Sequence, residues 1–513
     1  MSKARNECTE SSLGAVDIQT ACIVSLSMAF PARGWNVVSE HNLNVAGSLS
    51  FKVIIVGGSI AGLTLALCLS RVGIDYVVLE RRDEIAPQVG ASIGIMPHGG
   101  RILDQLGLFD SVEQMIEPLH TSHILYPDGF HHTNRSPELL EKRFGLPLAF
   151  LERQKMLRAL YDHLPDPSKV LLGKSVVSVN QEDILQPCVR TEDGSVYKGD
   201  LVVGADGVHS RVRSEMWRLS EQFQPGLIPN KDKTGMTIEY ACVFGISSGV
   251  PGLSAGEQIT SLNDGRSYLV FPGKDSRIFW FLLLRLDQVY TYPGGPRYSS
   301  EDAERTCEKY ANDRIWKGVR FADIWRRRKV FSMTNLEEHV YHKWHCGRVV
   351  CIGDSMHKMA PNTGQGANCA IEDASDLCNL LNKAVPSVKD GRRLSTQEVH
   401  ALLQTFNSYR LYRVRNIYSG ARFVVRLHAR HNLFLRLLGR YYMPYSGDLP
   451  ADTASRVIAG AGNLEFLPPS QRWGPGWDQF RSKKHTMVLY IGGTTGLLLL
   501  LTVVTWFRLL LVA

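Results

Sequence analysis

Lys52-Val-Ile-Ile-Val-Gly-Gly-Ser-Ile-Ala-Gly62 decides the fold of this chain. A run of β-branched residues feeds a glycine turn, and the turn opens an apolar helix carrying Leu63, Leu65, Ala66, Leu67 and Leu69. A second strand, Tyr76-Val77-Val78-Leu79, ends on Glu80. This is the pattern of a βαβ unit that holds a dinucleotide. Gly57 allows a tight turn, and Gly62 lets the helix pack close to the strand. The N–H groups at the start of the helix then face a pyrophosphate. Glu80, 23 residues beyond Gly57, is placed to accept hydrogen bonds from a ribose hydroxyl. The middle position of the glycine fingerprint holds Ser59, a small residue that departs from the pattern.

Downstream, Val89-Gly-Ala-Ser-Ile-Gly-Ile-Met-Pro97 reads as a glycine-rich loop before a helix around Gly100–Leu106. Phe150-Leu-Glu-Arg-Gln154 leads into a helix over Lys155–His163, and Val170–Val179 with Cys188–Thr191 reads as a hairpin. Leu201-Val-Val-Gly-Ala-Asp-Gly207 is a strand running into a turn. From about 215 to 345 the pattern changes to strands such as Met236–Ile246, Ser267–Phe271 and Arg277–Leu286, which predicts an antiparallel sheet with an apolar face. The nucleotide-type signature returns at Arg348-Val-Val-Cys-Ile-Gly-Asp354, followed by Thr363-Gly-Gln-Gly-Ala-Asn368 and a helix over about Ala370–Leu381. A strand-end aspartate suits a second polyol, and a Gly-Gln-Gly turn offers bare N–H groups. A cofactor gripped by segments this far apart is long and has more than one sugar-like section, as FAD has.

The expected fold is therefore α/β. It has a Rossmann-like FAD domain from 51–214 and 346–385, an inserted antiparallel β-sheet substrate layer at 215–345, and C-terminal helices over 386–484. Residues 1–50 are expected to be a poorly ordered extension. Hydrophobic and charged fractions of 44% and 21% fit a packed protein rather than a disordered one. Ten cysteines without CxxC spacing argue against both a disulfide framework and a zinc site, so no metal is expected. The formal charge of +8 concentrates between Arg410 and Arg440, where eight arginines alternate with apolar residues. That stretch suits an anionic membrane surface or, equally, a solvated helix face; nothing points to nucleic acid. Met487–Phe507 is an uncharged apolar run of 21 residues, about the length of a bilayer span at ~1.5 Å per residue. Arg481, Lys483 and Lys484 precede it. The expectation is a single-pass C-terminal transmembrane helix with a cytosolic catalytic part, at the endoplasmic reticulum.

The segments 53–66, 90–99 (GASIGIMPHG), 150–155 (FLERQK), 199–217 (GDLVVGADGVHSRVRSEMW), 239–247 (EYACVFGIS) and 353–374 (GDSMHKMAPNTGQGANCAIEDA) occur in order. Together they resemble the FAD-dependent monooxygenases of the para-hydroxybenzoate hydroxylase fold. Within these the chain is similar to the fungal membrane-anchored epoxidases of meroterpenoid and indole-diterpene biosynthesis. The resemblance implies that Glu80, Gly94, Arg153, Asp354 and Ala367 contact FAD, alongside Gly57 and Gly62. It implies that the turn at Asp206 serves FAD and the transient docking of NADPH, and that Tyr240 and Arg211 stand on the catalytic side. The implied reaction uses O₂ to epoxidise an alkene in the prenyl chain of a lipophilic substrate. Aromatic ring hydroxylation, reduction of a polyprenyl chain and a non-catalytic scaffold role are the competing readings. Each residue also has a plainer reading. Glu80 could cap a strand end and Arg153 could start a surface helix. Asp206 and Asp354 could serve turn chemistry, Tyr240 could be strand packing, and Arg211 could pair with Glu215.

Overall fold

A computed structural model describes residues 51–481 apart from 88–89, 91, 182–185 and 386–391. Its first layer is a six-stranded sheet in the order His345–Cys346, Val349–Cys351, Leu201–Gly204, Lys52–Val56, Asp75–Leu79, Val170–Leu171. The four strands from Val349–Cys351 to Asp75–Leu79 run parallel, with Val53 opposite Leu201, Val53 opposite Tyr76 and Val202 opposite Val349. Their near-continuous apolar sequence follows from burial on both faces; Val53, Ile54, Ile55, Val202 and Val203 are fully buried. The late strand thus lies beside the early ones, as the returning nucleotide signature predicts. The predicted hairpin strand over 170–179 divides instead. Val170–Leu171 closes the parallel sheet, while Val176–Asn180 joins Cys188–Thr191 and Val196–Lys198 in a three-stranded sheet. Gly173, at φ +66°, turns the chain between them.

The second layer is an eight-stranded sheet centred on Thr237–Ser248, which pairs antiparallel with Arg277–Thr291 and Arg328–Val340. Strand alternation sends its side chains to two apolar layers. Val243 packs with Trp280, Phe321 and Trp325 on one side. Tyr240, Cys242 and Ile246 pack with Leu269, Phe271, Leu283, Ala360 and Val425 on the other. The strands Thr121–Leu125 and His131–Asn134, from the early part of the chain, extend the same sheet. Phe150, beside the cofactor-type elements, stacks on Phe271 with ring centroids 3.7 Å apart. The second of these apolar layers therefore faces the nucleotide half of the fold.

Much of the basic stretch lies on the helix Thr396–His428, and the structure gives partners to most of its arginines. The helix begins with a capping box between Ser395 and Glu398. Arg410 is fully buried and bonds Glu372 at 2.7 Å, Asp373 at 2.7 Å and Asp376 at 3.1 Å. Arg413 bonds Glu372 at 2.6 Å. Arg426 pairs with Glu239 and Glu338, Arg430 and Arg436 reach Asp264, and Arg440 reaches Asp128. These cations answer acids of the same chain.

The expected transmembrane helix over 487–507 and the extension 1–50 lie outside the described residues. Among the described residues no helix is long and apolar enough to cross a membrane. The expected architecture and placement are corrected accordingly, to an α/β fold in which no described helix is a membrane anchor.

Replacing Arg410 with Met should lower stability by about 3–5 kcal/mol, because it leaves Asp373 and Asp376 buried without their guanidinium and Glu372 with Arg413 as its remaining arginine partner. Chemical denaturation followed by circular dichroism measures this. A loss below about 1 kcal/mol would contradict it.

Candidate functional site

The glycine turn is built for close approach. Gly57 has φ +107°, and a Cβ there would sit 2.5 Å from Ala205 O. A Cβ on Gly62 would lie 1.9 Å from Gly57 O, so the helix Ile60–Arg71 can seat against the strand end only without a side chain. Ser59 is the N-cap of that helix but makes no side-chain cap bond. Its Oγ instead accepts a hydrogen bond from Arg153 Nη2 at 2.7 Å, which gives the fingerprint departure a physical role. Glu80 is buried, and its carboxylate accepts from Gly58 N at 2.7 Å and Arg82 N at 3.1 Å. These bonds fix the carboxylate at the mouth of the turn.

The late segment supplies the opposing wall. Gly353, at φ +64°, lies between Ala61 and Ala370, whose methyl groups would be 3.2 and 3.4 Å from any Cβ placed there. The first turn of the helix Ile60–Arg71 and the second turn of the helix Gln365–Ala384 therefore pack on Gly353, while Gly366, in the first turn of the latter, lies beside Asp354. The second helix begins at Gly364, also without a side-chain cap. Asp354 pairs with Lys358. Burial works to raise the Asp354 carboxyl, but Lys358, His357 and Arg153 outweigh it and hold the group below its usual range. Burial lowers Arg153, with Arg82 adding to the effect, while Asp354 and Glu80 pull the other way. Arg153 is thus in the field of both carboxylates.

Asn368 ties this wall to the strand holding Gly94. Its amide donates to Gly94 O at 2.9 Å and Gly364 O at 2.7 Å, and its oxygen accepts from Met96 N at 3.0 Å. Gly94 has no room for a side chain larger than hydrogen without moving Phe150, whose Cζ would be 3.0 Å from a Cβ. Ala367 stands in the first turn of the second helix. Ser92 Oγ and Thr363 Oγ1, on segments bordering this cradle, are buried without a protein partner. Two uncapped helix starts, a positioned carboxylate at each end, Arg153 between them and orphaned hydroxyls suit a group with a pyrophosphate and polyol arms. FAD fits that donor set.

Of the remaining candidates, Asp206 borders the glycine turn, its Cα 3.0 Å from where a Cβ on Gly57 would lie. Asp206 accepts from Ser210 Oγ at 2.6 Å, Arg211 N at 2.7 Å and Val212 N at 3.1 Å, so it caps the helix Arg211–Phe223. Burial pushes its carboxyl up. Arg211 is not brought to the cradle. Its guanidinium donates to Val177 O at 2.9 Å through Nε and lies 3.3 Å from Glu215. Tyr240 is buried in the apolar layer that also contains Ala360, and its hydroxyl is 3.0 Å from His431 Nδ1.

Sequence reading missed Lys358, Asn368 and Asp373. The spacing of Asp354 and Lys358 was a usable signal. Asp373 accepts from Gly353 N at 2.7 Å, from Arg410 Nε at 2.7 Å and bonds His357 Nε2 at 2.7 Å, which braces the Gly353 loop from below.

Two buried histidines border this region. Burial lowers His98 to about 4, although Glu372 opposes it, and burial lowers His428 to about 4. Both are neutral in the fold, while an unfolded histidine titrates near ~6.5. Their stabilising contribution is complete above that value and is lost as pH falls toward about 4. The melting temperature should therefore drop across this window, and His98→Gln should make the drop shallower. An unchanged slope in the variant would contradict the assignment.

A family profile described as FAD binding domain matches residues 50–225 and 287–413. The FAD-dependent monooxygenase spyC of Aspergillus fumigatus is 62% identical over 441 residues, which cover 86% of this chain and 92% of that protein. The FAD-dependent monooxygenase olcE of Penicillium canescens is 57% identical over 458 residues, covering 89% and 98%. Among solved structures, Klebsiella pneumoniae HpxO complexed with FAD and uric acid has the same fold, with a TM-score of 0.66 at 22% identity over 82% of this chain and 99% of that one. On the profile match and these identities together, the chain belongs to the FAD-dependent monooxygenases.

Proposed function

We propose that this monooxygenase epoxidises an alkene in the prenyl chain of a lipophilic terpenoid intermediate, with NADPH as the transient electron donor. The observation that carries this reading is the apolar layer between the eight-stranded sheet and the cofactor cradle. Leu119, Cys242, Ile246, Leu269, Phe271 and Leu283 line it, with Ala360 and Phe150 on the cradle side. Such a surface binds hydrocarbon through burial and excludes water from the reacting atoms. FAD, once bound and reduced, supplies an electrophilic oxygen derived from O₂.

The chain's own groups do the rest. Gly57, Ser59 and the helix behind them would receive the diphosphate, while Glu80 and Asp354 would hold the two polyol regions. Arg153 bridges them. Tyr240 offers the layer a hydroxyl whose proton is firmly held, because burial raises its pKa. When that proton is not engaged by His431, it can give a hydrogen bond to an oxygen that gains negative charge. An alkene needs no deprotonation to react with an electrophilic oxygen, which suits a layer of this composition. Beside the Asp206 turn, a cleft of about 100 Å³ is lined by His209, Arg213, Trp217, Tyr292 and Tyr341. Its aromatic faces offer a stacking surface of the size of one ring, which suits the nicotinamide end of the passing donor.

Incubation with prenylated aromatics, NADPH and O₂, followed by mass spectrometry, tests the reaction. The expected product carries one added oxygen on the prenyl tail, as an epoxide or its diol. A new ring hydroxyl, or a gain of two hydrogens without oxygen, would overturn the reading in favour of a hydroxylase or a reductase.

Arg153→Ala should weaken FAD binding by about 10- to 100-fold, the value of one or two charge-assisted hydrogen bonds. Quenching of flavin fluorescence on titration into the protein measures it. Affinity equal to that of the unaltered chain would contradict the placement of Arg153.

A further inference from the structure

His431 has no part in the cofactor cradle, yet its position is fixed with unusual care. The helix Thr396–His428 ends with Ala429 as C-cap and Arg430 at φ +50°. Arg430 N donates to Leu427 O at 3.1 Å and His431 N donates to Arg426 O at 3.0 Å, the bond pattern of a Schellman motif. A left-handed conformation is unfavourable for a residue with a Cβ. Here it is held by Arg430 Nε on Asp264 at 2.8 Å, by Gly265 N on Ala429 O at 2.9 Å and by Arg285 Nη1 on His431 O at 3.2 Å. The outcome is that His431 Nδ1 lies 3.0 Å from the Tyr240 hydroxyl and 3.4 Å from Glu239 Oε1.

Those two neighbours make opposite demands on one nitrogen. A carboxylate only accepts, whereas a phenol both donates and accepts. When Nδ1 carries a proton, it donates to the Tyr240 oxygen or to Glu239, and in either case the phenol proton is free to turn into the apolar layer. When Nδ1 is bare, it holds the phenol proton itself, and Tyr240 can offer the layer only lone pairs. We propose that His431, backed by Glu239, is a positioning residue that decides whether Tyr240 meets a bound substrate as donor or as acceptor.

The inference rests on the proposed function only in taking the Tyr240 layer as the reaction space. The His431 side chain is 22% exposed, so it exchanges protons with water while Tyr240 stays buried. Its charged surroundings are Glu239 on the strand bearing Tyr240, Arg285 on the neighbouring strand and Arg426 on the long helix. Arg426 is itself paired with Glu338. Burial, Arg285 and Arg426 lower the His431 pKa, and Glu239 opposes them. Oxygen transfer leaves a more basic oxygen behind, which needs Tyr240 as a donor. The donor state is the one in which Nδ1 is protonated, and acid favours it.

The test is ¹⁵N NMR of the full FAD-loaded chain with ring-labelled histidine, the His431 signals being those lost in His431→Asn. Removing the phenol in Tyr240→Phe should raise the His431 titration midpoint by about half a pH unit and shift Nδ1 toward the protonated value. Glu239→Gln should lower the midpoint by a similar amount. A midpoint and Nδ1 shift unmoved in Tyr240→Phe would overturn the proposal. Should that variant fail to bind FAD, an unmoved midpoint in Glu239→Gln is equally decisive. Product formation is a separate readout. A coupled titration without epoxide would reject the proposed reaction alone, and an uncoupled titration with epoxide would reject the role of His431 alone.

Discussion

One helix starts and another passes within touching distance of one backbone position, Gly353, and the rest of the structure is arranged to permit it. A side chain at that glycine is disfavoured, because its φ is +64° and a Cβ would press on the methyl groups of Ala61 and Ala370 at 3.2 and 3.4 Å. The same is true one step earlier, where Gly62 packs on Gly57 O. Removing side chains at these points brings two sets of unpaired N–H groups, and two positive helix ends, to one place. Such a place is unfavourable when left bare and favourable around an anion. The parallel sheet supplies the geometry, since Lys52–Val56, Leu201–Gly204 and Val349–Cys351 all deliver their C-terminal ends to the same edge.

Behind that convergence is a buried group of charges. Asp373 collects the Gly353 N–H, His357 and Arg410, while Glu372 collects Arg410, Arg413 and, at 3.4 Å, His98. Burying carboxylates is costly unless each is met by a cation and by hydrogen bonds. Here the long helix meets them from one side and the loop backbone from the other. Asp376 is the least compensated member, and burial raises its carboxyl to about 7. The arrangement makes the position of the Gly353 loop depend on the helix that also carries Arg426 and leads into His431. The cofactor cradle and the apolar layer of the eight-stranded sheet are thus braced by one element.

Local patterns in the sequence were readable because their physics is local. The β-branched run, the glycine turn and Glu80 act within one βαβ unit, and each is found where its spacing places it. The Arg211–Glu215 pair, four residues apart on one helix, was among the plain alternatives and is what forms. So is the turn chemistry of Asp206. The partners of Arg410 were not readable, since they lie 34 to 38 residues away and the acids carry no mark of burial. For the same reason the basic stretch looked equally suited to lipid and to water: an amphipathic repeat records that one face is covered, not by what. Tyr240 was identified from a motif, but its neighbour His431 is 191 residues distant and depends on a helix end that no local pattern specifies.

The central claim is that side-chain-free packing at the glycine turn creates the FAD site. The direct measurement is the FAD content of the purified full chain and of Gly62→Val, read from flavin absorbance per protein. The account predicts about one FAD per chain in the first and almost none in the second, because the first added carbon would already lie 1.9 Å from Gly57 O. A Gly62→Val protein that retains a full complement of FAD would contradict it.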